Sequence, residues 1–189
     1  MTSSNADAAA TATAVHAEHY DPTTIRLHWL TAALVVTLWI AGKTIDWFAK
    51  GDPRIYARST HIAIGLVLAL VVVTRIVWRV RSGRRLPPAP GLAGSAASAM
   101  HGLLYLLLVA VVGLGITNAV IRGDVIYGWF TIPTPAPHDL PLRHLIGHLH
   151  AWGANVILIA AGLHALAGIA HQLLLKDGVL RRMVPGRES

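Results

Sequence analysis

Histidine is the residue type whose spacing in this chain could do chemistry. From His148 to His171 the sequence reads HLHAWGANVILIAAGLHALAGIAH, with no acid, no Lys and no Arg. That stretch is long and apolar enough to span a bilayer. Ionisable groups inside such a segment point to function by default. His150 and His164 are 14 residues apart. At about 100° per residue, 14 steps return to within about 40° of the same helix face, about 21 Å further along the axis. One helix therefore offers two imidazoles on one side, near opposite ends of the hydrocarbon core. Imidazole suits iron, and haem iron commonly takes a His axial ligand. The expected chemistry is electron transfer at two stacked haems, each held partly by this helix.

Composition says which elements must position these groups. The 189 residues are 54% hydrophobic and 13% charged, with a mean hydropathy of +0.54. That is the composition of a membrane protein. The absence of cysteine excludes disulfides, thiolate-held iron–sulfur clusters and covalent c-type haem. The net charge of +7 reads as lipid-facing and topogenic rather than as a nucleic-acid surface, because the basic residues sit beside apolar spans.

Residues 1–23 are expected to form a disordered leader rich in Ala, Thr and Ser, without the basic start and apolar core of a signal peptide. Residues 24–185 form the transmembrane unit and 186–189 a short tail. The fold class expected is an all-α membrane protein, a four-transmembrane-helix bundle holding two b-type haems. The spans run from about Thr24 to Ile45, Ser59 to Val80, Met100 to Ile121 and Leu145 to Leu175. Leu86 to Gly91 breaks the chain between spans two and three. Arg122 to Arg143, with Pro133, Pro135, Pro137 and Pro141, breaks it between three and four. Of the 16 Lys and Arg, ten fall on the side of the termini and six on the other. That bias predicts a multi-pass membrane protein with both termini on the inner, cytoplasmic side.

Depth then pairs the ligands. His28 enters span one near the inner face and His61 enters span two near the outer face. His150 is outer, and His164 lies about 21 Å further in. The pairs at matching depth are His61 with His150 and His28 with His164, giving two non-covalent bis-His haems. Gly65, one turn from His61, would let a flat macrocycle approach the backbone. Arg75, 14 residues past His61, could pair with a propionate at inner depth, or snorkel to the inner surface. His144 and His148 are about 200° and 160° away from His164 and read as loop or interfacial histidines. His171 and His101 are candidates for a quinone headgroup or, less simply, for a ligand role. Gly113 and Gly115 read as packing glycines.

These motifs resemble the bacterial cytochrome b-561 family, which includes the inner-membrane superoxide oxidase. The resemblance is carried by Arg26-Leu27-His28-Trp29-Leu30, by His61 to Gly65 with Arg75, and by Met100-His101-Gly102-Leu103-Leu104-Tyr105. It continues through His150 to Gly162-Leu163-His164-Ala165, then Ala170-His171-Gln172 and Lys176 to Pro185. It implies a four-helix bundle with two b-type haems, ligands at His28, His61, His150 and His164, and quinone exchange near His171. The function expected is electron transfer across the inner membrane between a donor, superoxide at the outer face, and the ubiquinone pool. Lys43, Lys50, Arg54, Arg58, Arg122 and Arg143 would steer the anion, in a field weakened by Asp46, Asp52, Asp124 and Asp139. One alternative is a haem-bearing relay subunit of a dehydrogenase or hydrogenase with a partner redox subunit. The other is a haem-free structural or transport bundle. The partners expected are a quinone and the lipid bilayer, and no nucleic acid.

Overall fold

The computed structural model describes residues 19–83, 86, 91–176 and 178–184. Most of the expected leader and the whole of the tail lie outside that range.

Two of the long helices, the first and the fourth, start on a side-chain cap. Asp21 caps α1 (Pro22–Thr44), accepting from the Thr24 amide at 2.9 Å, with Pro in the first turn. An acid and a proline also open α2 (Asp52–Arg81). The third helix, α3, covers Gly91–Arg122. Asp139 caps α4 (Leu140–Ala170) through the Leu142 amide at 2.8 Å. Proline is tolerated at a helix start because that amide has no intrahelical acceptor. This corrects the reading of Pro141 as a loop breaker, since it sits in the first turn of α4. Helices α2, α3 and α4 each start several residues before the expected apolar spans. A π-helical turn, His171–Leu175, prolongs α4, and a 3-10 turn, Val179–Met183, follows it. All four helices are long and apolar enough to cross a membrane, as their composition predicts.

The helices form an antiparallel ring, α1 on α2, α2 on α3, α3 on α4 and α4 back on α1. Most large apolar side chains point outward and stay exposed, as expected when lipid rather than water is the solvent. The buried cluster is small: Leu38, Leu68, Val72, Leu108 and Ile157, with Val35, Ile64 and Val112 among those against it. It lies at mid-height. A cross-helix hydrogen bond, from Trp39 Nε1–H to Asn155 Oδ1 at 3.0 Å, ties α1 to α4. Such bonds help hold helices together where apolar contact gains little over lipid.

The two ends differ. At one end a two-stranded hairpin, β1 (Val125–Ile126) and β2 (Phe130–Thr131), closes the α3–α4 connection. Ser59, at 0% exposure, pins it to α2. Its hydroxyl shares its proton between the carbonyls of Ile55 (2.8 Å) and Val125 (3.2 Å) and accepts from the Tyr127 amide at 2.9 Å. At the other end the termini meet. The Tyr20 amide donates to the Arg182 carbonyl at 3.2 Å, and Trp29 Nε1–H to the Met183 carbonyl at 2.8 Å. These are called the hairpin end and the terminal end below.

Candidate functional site

The helices bring the four paired histidines together in two couples. His61 of α2 and His150 of α4 face each other at the hairpin end, with ring centroids 6.2 Å apart and planes at 89°. His28 of α1 and His164 of α4 do the same towards the terminal end, at 6.3 Å and 71°. Two imidazoles that share one metal at about 2.0–2.1 Å per nitrogen hold their centroids on the order of 6 Å apart. Among the described residues, no three His, Asp or Glu side chains converge as a bare metal ion would require. Two opposed imidazoles suit a metal whose remaining donors come with it, which is the case for haem iron.

The hairpin-end couple opens into a cavity of about 680 Å³, within the range of small-molecule and cofactor sites. Its walls include Leu38, Ile62, Leu108 and Val111, with Gly65 among the lining residues, and Lys43, Arg58, Arg122 and Arg143 also line it. A Cβ built on Gly65 would meet nothing within 4 Å, so the space expected beside His61 is open. The apolar walls and cations suit a flat apolar ring bearing carboxylates. Asp124, 7% exposed, holds Arg58 at 3.5 Å and Arg122 at 3.3 Å.

Hydrogen bonds orient the rings unequally. His150 Nδ1 lies 3.1 Å from the Val111 carbonyl. That carbonyl can only accept, so Nδ1 carries the proton and Nε2 keeps a lone pair for a metal. Nδ1 of His61 is buried with no protein partner among the described residues. Nδ1 of His28 accepts from Arg75 Nη2–H at 3.0 Å, and the Arg75 guanidinium stands over the Tyr105 ring at 5.3 Å. Arg75 is therefore at the depth expected for it and turned into the bundle.

His101 stands against His164, ring centroids 5.2 Å apart, so it belongs to the terminal-end group. His171 opens the π-helical turn at the foot of α4. Beside it, Gln172, Leu173, Lys176, Gly178 and Arg181 line a second cavity of about 340 Å³. His144 and His148 lie in the first turns of α4, stacked at 6.4 Å, and line the mouth of the large cavity. They are helical rather than in the loop expected of them.

Sequence reasoning missed Gly42 and read Gly115 only as a packing glycine. A Cβ on Gly42 would lie 3.3 Å from His61 Cε1, and one on Gly115 would lie 2.9 Å from His150 Cε1. The available signal was the 14-residue step. Besides α2 and α4, it recurs from His28 to Gly42 and from His101 to Gly115. Seven residues into each step stand Val35, Leu68, Leu108 and Ile157, all in or against the buried cluster. Each helix thus contributes one residue to the hairpin-end level, one to an apolar layer and one to the terminal-end level.

Residues 19–186 match the profile of the prokaryotic cytochrome b561 family. The chain is 30% identical to cytochrome b561 homolog 1 of Escherichia coli K12 over 174 residues, covering 89% of this chain and 98% of that protein. It is also 30% identical to a protein of Yersinia pestis named as a probable superoxide oxidase, over 87% of this chain and 95% of the other. The match to cytochrome b562 of Cereibacter sphaeroides is again 30%, over 86% and 93%.

Proposed function

This chain belongs to the prokaryotic cytochrome b561 family, and on that premise we propose that it carries electrons from superoxide at one membrane face, through two haems, to ubiquinone at the other. That it is a multi-pass membrane cytochrome of electron transport, binding b-type haem, follows from the family and its four spanning helices. The number of haems, their ligands, the substrates and the sidedness are our reading.

The observation that carries the reading is the pair of opposed imidazole couples at two depths, 6.2 and 6.3 Å between centroids. Bound between them, haem iron supplies one-electron redox chemistry. His61 and His150 would hold one group and His28 and His164 the other. The Val111 carbonyl holds the His150 ring by Nδ1, so that its free Nε2 would be available to the metal. The cations of the large cavity would meet carboxylates of the bound ring. At the mouth they would also attract an anionic donor.

Superoxide as donor is supported by the printed name of the Yersinia pestis relative and by this cationic lining. The Lys and Arg distribution supports placing the hairpin end outside and both termini in the cytoplasm. On that placement the terminal end faces the proton supply that quinone reduction needs. His171 and the adjoining cavity with Lys176 and Arg181 supply donors for a quinone carbonyl. His101 is placed to influence His164 and a headgroup beside it.

The test is a reduced-minus-oxidised spectrum of the purified protein with haem quantitation, then superoxide and quinone turnover without added partners. Two haems per chain and turnover by the protein alone are expected. Absence of haem would end the reading. Two haems with no turnover until a redox partner is added would make the chain a relay subunit.

A further inference from the structure

The four 14-residue steps do not put equivalent groups at both levels. At the terminal-end level the residues facing His28 and His164 from the paired helix are Arg75 and His101. At the hairpin-end level they are Gly42, facing His61, and Gly115, facing His150. In both helix pairs, α1 with α2 and α3 with α4, a side chain backs the ligand candidate at one level and bare backbone backs it at the other.

We infer that Gly42 and Gly115 are positioning residues of the hairpin-end haem, each providing the space into which the neighbouring imidazole must lie. A Cβ at 115 would stand 2.9 Å from Cε1 and 3.3 Å from Nδ1 of His150. Carbon atoms attract best at roughly 3.5–4.0 Å, so something must shift. The imidazole cannot simply swing aside, because its Nδ1–H is held by the Val111 carbonyl one turn earlier on α3. Val111 in turn is pressed close to α4, where a Cβ on Gly153 would lie 3.0 Å from its Cγ2. Displacing the ring therefore turns Nε2 off its line or separates the two helices. At Gly42 the approach is 3.3 Å to His61 Cε1 and 3.7 Å to its Nδ1. That nitrogen has no partner among the described residues to hold the ring, so His61 can yield by a few tenths of an ångström.

The internal control is Gly113, on the same helix, whose Cβ would meet nothing within 4 Å. Alanine is the better helix former, so loss on replacing glycine by alanine cannot come from helix propensity. It has to come from contact.

This inference rests on the reading of His61 and His150 as ligands. The experiment is to titrate haem into Gly115→Ala, Gly42→Ala and Gly113→Ala proteins in detergent. Haem affinity of each site and the electron paramagnetic resonance spectrum of each ferric haem are recorded, with helix content and melting temperature as checks on folding. Gly115→Ala should weaken haem binding at one site by tenfold or more and change the resonance of that haem alone, with the helices intact. Gly42→Ala should act on the same haem, less strongly. Gly113→Ala should leave both unchanged. Unaltered affinity and resonance in Gly115→Ala, or an equal loss in Gly113→Ala, overturns the inference. If His150→Ala keeps both haems, the ligand reading itself fails. If His150→Ala loses a haem while Gly115→Ala does not, only the positioning role fails.

Discussion

Arg75 Nη2–H donates to Nδ1 of His28 across the α1–α2 interface at 3.0 Å. A neutral imidazole that accepts at Nδ1 carries its proton on Nε2 and has no lone pair there for iron. Ligation by His28 through Nε2 and this hydrogen bond therefore compete. Loading of the terminal-end site should turn Arg75 away, towards a carboxylate of the bound ring. Its charge still favours the reduced state of a nearby iron. A unit charge within about 10 Å at an effective dielectric near 20 is worth on the order of 1–2 kcal/mol. One tenfold step in a one-electron equilibrium is about 59 mV. Arg75→Gln should lower the midpoint potential of one haem by an amount of that order, and Arg75→Lys by much less. Spectroelectrochemical titration reads both, and an unmoved midpoint in Arg75→Gln would remove Arg75 from the haem environment.

Ligation itself is the plainest prediction. His61→Ala and His150→Ala should each lose the same haem, and His28→Ala and His164→Ala the other, leaving one haem per chain. His148→Ala, two residues before His150 but off its face, should keep two. The haem-to-protein ratio of each purified variant decides. Loss of haem in His148→Ala with retention in His150→Ala would invert the assignment of faces.

Steering of an anionic donor has to be looked for at the cavity. Arg54 is tied to Asp46 at 3.5 Å and donates to the Phe48 carbonyl, and Arg58 is held by Asp124. Arg122 is likewise held by Asp124, so these partners blunt three of the six outer cations expected to steer the anion. Lys43 and Arg143 line the cavity itself. Reversing both to Glu should slow superoxide-driven haem reduction several-fold at low ionic strength and flatten its fall with added salt, because steering acts on encounter. Stopped-flow reduction at a series of salt concentrations measures this, and equal rates at low salt would argue against steered entry here.

Ser59 holds the hairpin by two contacts, to the Val125 carbonyl and from the Tyr127 amide, while wholly buried. Ser59→Ala strands the Tyr127 amide and a Val125 carbonyl, and an unsatisfied buried group costs about 1–3 kcal/mol. The melting temperature in detergent should fall, and protease should cut the 123–131 segment sooner. An unchanged cleavage rate would mean the hairpin is held from elsewhere.

His171→Ala should retain both haems yet slow their reoxidation by ubiquinone, since the variant removes a hydrogen-bonding group that suits proton delivery. Unchanged reoxidation kinetics would take His171 out of the quinone site, and loss of a haem would recast it as a ligand.

Much of this protein is legible in one dimension. Apolar spans near the length of a bilayer force helices, because backbone amides have no other partner in lipid. The 14-residue step from His150 to His164 forces two depths, because helix rise is fixed. Depth alone then pairs His28 with His164 and His61 with His150, and the ring distances agree. The contacts across helices were not legible. That Gly115 meets His150 depends on the antiparallel register of α3 and α4, which is set by how Val111, Leu108 and Ile157 pack. A glycine in a membrane helix carries no mark of what fills the space beside it. Nor could the sequence say that Arg75 reaches His28 rather than the inner surface, since a long side chain snorkels or turns inward according to what its neighbour offers. Spacing determined which residues share a depth, and only the packed helices decided which of them touch.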